Sequence, residues 1–148
     1  MNINWYGKAF NNLTADELYQ VMRLRSEVFV VEQNCVFLDA DNKDQQCLHF
    51  MGWVKNDLVA YTRIAPPGYI YEEPSIGRVV TAPAYRKNKI GYTLMEKSIE
   101  QCRKISGNAA IKIGAQYYLK NFYASFGFKQ VSDIYLEDGI EHVYMILP

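Results

Sequence analysis

Residues 79–95 read VVTAPAYRKNKIGYTLM, and this stretch decides how the rest of the chain is interpreted. An apolar, strand-like run stops at Pro83, a turn carrying Arg86, Lys87 and Lys89 follows, and an amphipathic helix pattern begins directly after it. A strand that leads straight into a helix start exposes backbone N–H groups together with the positive end of the helix dipole, and both favour an anion. The stretch therefore predicts a phosphate or pyrophosphate site.

The local charge supports this interpretation, because the segment 85–104 holds six basic residues against two acidic ones. The whole chain is balanced, with 16 basic and 16 acidic residues, so it lacks the general positive field of a protein that binds nucleic acid through its backbone. Neither G-x-G-x-x-G nor G-x-x-x-x-G-K-[ST] is present, which argues against a dinucleotide fold and a P-loop. From this stretch alone, an ordinary solvated basic loop remains the alternative.

Composition indicates one domain over residues 1–148, since 148 residues with 49% apolar content can bury a sizeable core. The sequence shows neither a secretory leader nor an apolar stretch of membrane-spanning length, and its three cysteines follow no C-x-x-C spacing. We therefore expect a soluble, cytoplasmic protein without membrane attachment. No metal site is expected either: DADNKD (39–44) resembles a calcium loop, but Phe50 stands where a bidentate Glu is needed.

Hydrophobic periodicity and turn residues predict the element order β α β β β α β α β β. The predicted strands are INWYGKAF (3–10), CLHFMGWV (47–54), LVAYTRIA (58–65), SIGRVVTA (75–82), AAIKIGA (109–115), 131–136 and 142–147. The helices are LTADELYQVMRLRSEVF (13–29), with Thr14 and Glu17 in capping-box spacing, the helix that ends at Gly107, and the short aromatic helix YYLKNFYASF (117–126). A strand, crossover helix and parallel strand (75–115) lie inside a mostly antiparallel sheet, so the class is α+β, or mixed α/β.

Several segments together resemble the GNAT superfamily of N-acetyltransferases, and within it the ElaA-like family. VVTAPAYRKNKIGYTLM (79–95) is similar to the family's strand, turn and helix signature. LRSEVFVVEQ (24–33), SIGRVV (75–80), GAQYYLKNFYASFGF (114–128) and LEDGIEH (136–142) are similar to further segments of ElaA-like proteins. The resemblance covers nearly the whole chain.

This resemblance implies acetyl-CoA as the co-substrate and a GNAT-like sheet that splays between two parallel strands, here 75–82 and 110–115. The pantetheine arm would pair with the backbone of Val79, Val80 and Thr81, and the pyrophosphate would sit on the turn and the helix start. The remaining cofactor-binding positions are Arg86, Lys87, Asn88, Lys89, Ile90, Gly91, Tyr92 and Asn121. The chain departs from the family where Lys87 and Lys89 replace glycines, so either the backbone angles there are ordinary or the loop sits differently.

Acyl transfer to an amine requires a deprotonated nitrogen, a polarised carbonyl and a proton for the leaving thiolate. The resemblance assigns the last role to Tyr123; without it, Tyr123 would be placed in the core with its aromatic neighbours Tyr117, Tyr118, Phe122, Phe126 and Phe128. Glu32, at the predicted end of the first helix, ranks first as general base, because partial desolvation there would raise its pKa. His49 is second and His142 third.

The acceptor is expected to be a small-molecule or peptide amine, and the sequence selects no particular one. An excess of three negative charges over residues 32–57 favours a cationic amine. A CoA-binding sensor or interaction module without turnover stays open as the alternative function, because glycines of the turn are replaced. The apolar run FVV (29–31) and the aromatic-rich final hairpin are compatible with a homodimer.

Overall fold

The computed structural model describes residues 1–148. Its strands are β1 (Asn4–Ala9), β2 (Leu48–Val54), β3 (Asp57–Ala65), β4 (Ser75–Thr81), β5 (Ile111–Gln116), β6 (Lys129–Gln130), β7 (Tyr135–Glu137) and β8 (Ile140–Leu147). Its helices are α1 (Ala15–Arg25), α2 (Ile90–Ser106) and α3 (Lys120–Ala124). A wider π-helical segment, Ser26–Glu32, continues α1 directly.

All eight strands belong to one sheet in the order β1-β2-β3-β4-β5-β8-β6, with β7 also paired to β8. Every pairing is antiparallel except that of β4 with β5, which confirms the predicted α+β class and its single parallel unit. The prediction was wrong for the last part of the chain. The single strand expected at 131–136 is two short strands, β6 and β7, separated by a loop, and β8 begins two residues earlier than expected.

Helices cover both faces of the sheet. On one face α1 packs through Val21, Leu24 and Val28 onto Met51, Leu58, Tyr61 and Val80. On the other face α2 and α3 cover the larger core, which includes Phe50, Ile76, Met95, Ile113 and Met145. Cys102 is buried here, whereas Tyr117 and Tyr118 are exposed rather than part of the core.

Helix α1 begins where the sequence places it. The Thr14 hydroxyl accepts from the Glu17 backbone N–H at 3.0 Å, and the Glu17 carboxylate accepts from the Thr14 N–H at 2.8 Å. This is a complete capping box, which satisfies two of the free donors of the first turn. The π-helical continuation carries the chain to Glu32, so that Glu32 and Gln33 reach the C-terminal ends of β4 and β5.

The central feature of the sheet is the way in which β4 leaves β5. Only Ser75 and Lys112 face each other across this parallel pair, whereas β4 stays paired with β3 as far as Thr81. Over the same stretch β4 contains one more residue than β3, and Arg78 lies there with a left-handed φ of 50°. Such a bulge bends the strand and increases its twist. One edge of β4 is thereby left without a strand neighbour beyond its first residue.

Three arginines and three aspartates fasten the loop between α1 and β2 to the sheet. Arg25 is fully buried and donates to the carboxylates of Asp39 and Asp44, each at 2.8 Å. The other two arginines complete the set: Arg63 donates to Asp41 and Asp44, and Arg78 donates to Asp39 and Asp41. Buried charges are tolerated only when they are paired and hydrogen-bonded in this way. We call this set the Arg–Asp network.

The Arg–Asp network makes the stability of the fold depend on pH in the acidic range. Burial raises the pKa of the Asp41 carboxyl, but hydrogen bonds from Arg63 and the charges of Arg63 and Arg78 outweigh it and bring that pKa to about 2, against an ordinary 3.8. Because the folded-state pKa is the lower one, the ionised carboxyl stabilises the fold above the unfolded pKa, and this stabilisation is lost as pH falls through about 2. We expect the free energy of unfolding, measured in urea, to decrease between about pH 5 and pH 2.

Asp41→Asn should lower stability by about 2 kcal/mol at pH 7 and flatten this acid dependence, because the amide cannot ionise. Asp133→Asn is the matched control, since the Asp133 side chain is exposed and forms no ion pair. An Asp41→Asn curve parallel to the wild-type curve would show that the Arg–Asp network is not the source of the effect.

Candidate active site

A cleft of about 870 Å³ opens where β4 and β5 separate. It has the size of a typical ligand site. Its floor is the free edge of β4 from Ser75 to Thr81, and α3, the end of the π-helical segment, the loop after it and the β7–β8 turn form its walls. The polar and ionisable side chains that line it include Glu32, Gln33, Cys35, Arg86, Gln116, Tyr123, Glu137, Asp138 and His142.

One end of the cleft meets the basic turn between β4 and α2. No backbone N–H group from Arg86 to Gly91 donates to an acceptor within the protein. These consecutive donors lie at the positive end of α2, a helix of 17 residues, beside the charges of Arg86, Lys87 and Lys89. Successive free backbone N–H groups at a helix start form an anion-binding nest.

The backbone angles of this turn show whether the positions without the expected glycines are ordinary or left-handed. Asn88 and Lys89 adopt left-handed φ values of 78° and 55°, whereas Lys87 does not. The turn therefore takes up a conformation that glycine adopts without strain, although neither residue is a glycine. Asn tolerates this region well, and Lys does so at a cost.

The positions expected to bind the cofactor divide into two groups. Val79, Val80, Thr81, Arg86 and Gly91 line the cleft. The remaining expected positions do not: Lys87, Asn88 and Lys89 are exposed on the turn, Tyr92 and Asn121 lie at the surface, and Ile90 is buried in the core, so that only its backbone faces the turn.

Tyr123 lies in the wall that α3 contributes and is almost completely buried. Its ring packs edge-on against Phe122 and Phe128, with centroids 5.1 Å and 6.1 Å away. Burial raises the pKa of the Tyr123 phenol above its ordinary value, and Tyr118 adds to the rise. The hydroxyl therefore keeps its proton at neutral pH and is able to act as a hydrogen donor in the cleft.

Glu32 lines the cleft as expected, but its carboxylate is already engaged. The Arg86 guanidinium donates to both of its oxygens, at 2.9 Å and 2.6 Å. This pair joins the end of the π-helical segment to the basic turn. Beside it, the side-chain amides of Gln33 and Gln116 bond to each other at 3.2 Å and 3.3 Å, which joins the same segment to the end of β5.

His49 does not line the cleft. It is fully buried, and its ring nitrogens bond to the Tyr61 hydroxyl at 2.7 Å and to the Asp44 carbonyl at 2.9 Å. Burial lowers the pKa of its imidazole, although the Asp44 carbonyl acts in the opposite direction. The ring supports the Arg–Asp network from the side of β2, and a substrate in the cleft reaches neither nitrogen. This corrects the expectation that His49 serves as a general base.

His142, the third-ranked base, does line the cleft, on the wall formed by β8. It faces Gln116 in the sheet register, and its neighbour in the cleft is Glu137 on β7. Glu137, Gln33 and Gln116 were not predicted as site residues, because the sequence does not reveal which strands the final hairpin adjoins. The motif LEDGIEH (136–142) was the available signal, since it places a carboxylate and an imidazole at the two ends of a tight turn.

The acidic loop does not supply the negative field that the sequence predicted. Asp39, Asp41 and Asp44 are neutralised by ion pairs with the arginines of the Arg–Asp network. The sequence signal for this was an arginine inside the apolar strand LVAYTRIA (58–65), because a charge in a core strand requires a buried partner. The carboxylates that remain at the cleft without an arginine partner are those of Glu137 and Asp138.

No group of three or more His, Cys, Asp or Glu side chains is arranged to hold a metal ion, and no helix is long and apolar enough to cross a membrane. The three cysteines are free and buried. Burial raises the pKa of the Cys47 and Cys102 thiols to about 11. Neither is a reactive thiolate at neutral pH.

The sheet with the free edge of β4 and the free N–H groups at the start of α2 belong to an acyltransferase fold. A model of the acetyltransferase (GNAT) domain matches residues 37–148, and the chain belongs to the GNAT acetyltransferase family, in its ElaA-like branch. Protein ElaA of Escherichia coli is 41% identical over 97% of this chain and 95% of its own.

Two solved structures show the same fold over 99% of this chain and 100% of their own. The crystal structure of an acyl-CoA N-acyltransferase from Pseudomonas aeruginosa is 35% identical, with a TM-score of 0.95. The crystal structure of E. coli ElaA is 40% identical, with a TM-score of 0.93.

The left-handed backbone conformation of Lys89 leads us to expect that replacing this residue with glycine stabilises the protein. A residue with a Cβ in this region costs about 1 kcal/mol relative to glycine, so we expect Lys89→Gly to raise the free energy of unfolding by about that amount. Lys87→Gly, two residues earlier and outside the left-handed region, is the control, and it should leave stability unchanged or lower it. Equal effects of the two variants in urea unfolding would refute the assignment of strain to residue 89.

Proposed function

We propose that the protein is an acetyl-CoA-dependent N-acetyltransferase that moves the acetyl group to an amine by direct attack in a ternary complex. One observation carries the proposal: a run of free backbone N–H groups at a helix start lies beside a strand edge that has no strand partner. A diphosphate fits the first feature, and an extended amide-containing chain fits the second. Coenzyme A contains both, joined in that order.

The pyrophosphate would bind to the backbone N–H groups of 86–91, and Arg86, which lines the cleft, would add its charge and the N–H groups that its ion pair with Glu32 leaves free. Lys87 and Lys89 are exposed and would contribute mainly through their charge. Asn88 stays in the proposal through its backbone N–H group, and Tyr92 and Asn121 through their exposed side chains.

The pantetheine arm would extend along Val79, Val80 and Thr81, adding its amides to the free edge of β4 in the manner of an extra strand. The thioester would then lie near the bulge at Arg78, in the cleft that Tyr123 also lines. Tyr123 would donate its proton to the departing thiolate, and the burial that keeps the phenol protonated favours this role.

Direct attack is favoured over an acyl-enzyme because no cysteine is suited to carry the acetyl group. Cys47 and Cys102 do not line the cleft, and the Cys35 thiol, which does, donates to the Asp138 carbonyl at 3.3 Å. Free thiols also suit a reducing compartment, which supports a cytoplasmic location. Since the turn keeps left-handed angles without its glycines, the main reason for favouring a CoA-binding module without turnover is weakened.

The central experiment measures release of free CoA thiol from acetyl-CoA with a panel of amines: spermidine, tyramine, lysine methyl ester and trialanine. We expect release with at least one of them and a mass shift of the product by one acetyl group. Titration calorimetry with acetyl-CoA measures cofactor binding separately. Binding without release on any amine would favour the module, and absence of binding would overturn both functions.

Tyr123→Phe should lower kcat at least tenfold and leave the Kd for acetyl-CoA within about twofold, because the substitution removes a proton donor and retains the ring. Tyr118→Phe is the matched control, since Tyr118 lines the same cleft but its side chain is largely exposed. An unchanged kcat for Tyr123→Phe would exclude Tyr123 as the acid.

Arg86→Gln should weaken acetyl-CoA binding about tenfold, which is the usual effect of losing a charge-assisted hydrogen bond to a phosphate. The loss should shrink as salt is added, because Arg86 is partly exposed and its field is screened. Arg103→Gln, at the opposite end of α2, serves as the control for net charge. Equal affinities of the two variants would place the pyrophosphate elsewhere.

A further inference from the structure

An amine acceptor must lose a proton before it attacks, and neither of the first two candidates for the base is free to take it. The Glu32 carboxylate accepts two hydrogen bonds from Arg86. His49 is buried outside the cleft with both nitrogens bonded. The inference that follows rests on the proposed function and identifies the group that accepts this proton.

His142 lines the cleft, and one of its ring nitrogens is bonded to the backbone. Its Nδ1 lies 2.8 Å from the Ile140 carbonyl oxygen, which can only accept, so Nδ1 carries the proton in the neutral ring. The lone pair is therefore on Nε2. The ring stacks on Tyr135 at a centroid distance of 5.7 Å and an interplanar angle of 29°, which fixes its plane.

Glu137 lies directly opposite this nitrogen. Its Oε2 is 3.6 Å from His142 Nε2, and its side chain is 59% exposed, so the carboxylate meets solvent on one side and the imidazole on the other. The turn at Asp138 and Gly139, whose φ values of 51° and 78° are both left-handed, holds the two strands in this relation. Such angles are those of a tight hairpin turn.

Aromatic side chains lie close to this pair. A Cβ at Gly114 would come within 2.9 Å of the Tyr135 hydroxyl and 3.0 Å of the Tyr71 hydroxyl, so glycine lets both tyrosines close over β5. Tyr71 and Phe37 line the same cleft as His142 and Glu137. The surface suits the carbon skeleton of an amine whose charged end meets Glu137.

We propose that His142, paired with Glu137, is the proton acceptor for the amine substrate, which enters between the β7–β8 turn and the loop that follows the π-helical segment. His142 faces Gln116, the last residue of β5, and the chain leads from there into α3 and Tyr123. The base and the acid therefore reach the cleft from separate walls, with the free edge of β4 forming its floor.

The protons balance as follows. The ammonium gives one proton to His142 Nε2, and Glu137 offsets the charge of the imidazolium. The free amine attacks the thioester carbon, a C–N bond forms, and the C–S bond breaks. The sulfur takes the Tyr123 proton, and the second proton of the attacking nitrogen returns to the Tyr123 oxygen. His142 then releases its proton to water, so one amide, one thiol and one proton are formed.

The test compares a charged and an uncharged acceptor in the full chain. Tyramine is an ammonium ion at pH 7.5 and must lose a proton, whereas hydroxylamine is largely neutral and needs no such step. With tyramine we expect His142→Gln to lower kcat about a hundredfold while the Kd for acetyl-CoA stays within about twofold. With hydroxylamine, after subtraction of the uncatalysed rate, we expect a loss of less than about tenfold.

Glu137→Gln should raise the KM for tyramine about tenfold, and because Glu137 is exposed this variant carries little risk to folding. Glu141→Gln, an exposed carboxylate beside His142 on β8, is the matched control and should behave as the wild type. If tyramine is not the acceptor, the amine of the panel that the wild type acetylates replaces it.

A second measurement does not depend on turnover. Diethylpyrocarbonate acylates an accessible neutral imidazole nitrogen, and the chain has only two histidines. Peptide mapping should find the carbethoxyl group on His142 and not on His49. No release of thiol by the wild type on any amine would refute the proposed function. Release with an undiminished His142→Gln rate, equal losses with both acceptors, or an unmodified His142 would each overturn the present inference alone.

Discussion

The functional cleft depends on β4 bonding to β3 on one edge while leaving the other edge free beyond Ser75. A strand edge of this kind is normally covered or blocked, because its unpaired groups invite another strand. Here the bulge at Arg78 turns the strand, and the Arg78 side chain is held by Asp39 and Asp41. The Arg–Asp network therefore does more than stabilise a loop, since it fixes the strand whose open edge forms the floor of the cleft.

The same network determines what the charged residues around the cleft can do. Three arginines form ion pairs with the three aspartates of the loop after α1, and a fourth, Arg86, forms an ion pair with Glu32. A protein of zero formal net charge thus keeps a positive end at the basic turn and a negative end at the β7–β8 turn. Under the proposed function, the diphosphate binds at the first end and the ammonium group at the second.

Much of the fold was predictable because its signals are local. The capping box at Thr14, the stop at Gly107 and the turn at Asp138 and Gly139 each act within a few residues, and the structure shows each of them. The prediction was wrong where pairing depends on distant residues: the segment after Gly127 is apolar enough for one strand, yet β8 pairs with two short strands instead. The position of the basic turn was also predictable from the sequence, whereas the left-handed backbone angles of Lys89 were not.

By itself the sequence determined the order of the elements as far as the third helix, the basic helix start and the tyrosine of that helix, since backbone propensity, capping and helix polarity are properties of short segments. Only the tertiary structure decided which ionisable groups are free. It buried His49 beneath the Arg–Asp network, bound Glu32 to Arg86, and brought Glu137 to 3.6 Å from His142 at the cleft. The reason is physical: a charge is available for chemistry only if no closer partner takes it, and its partners here lie up to 54 positions away along the chain.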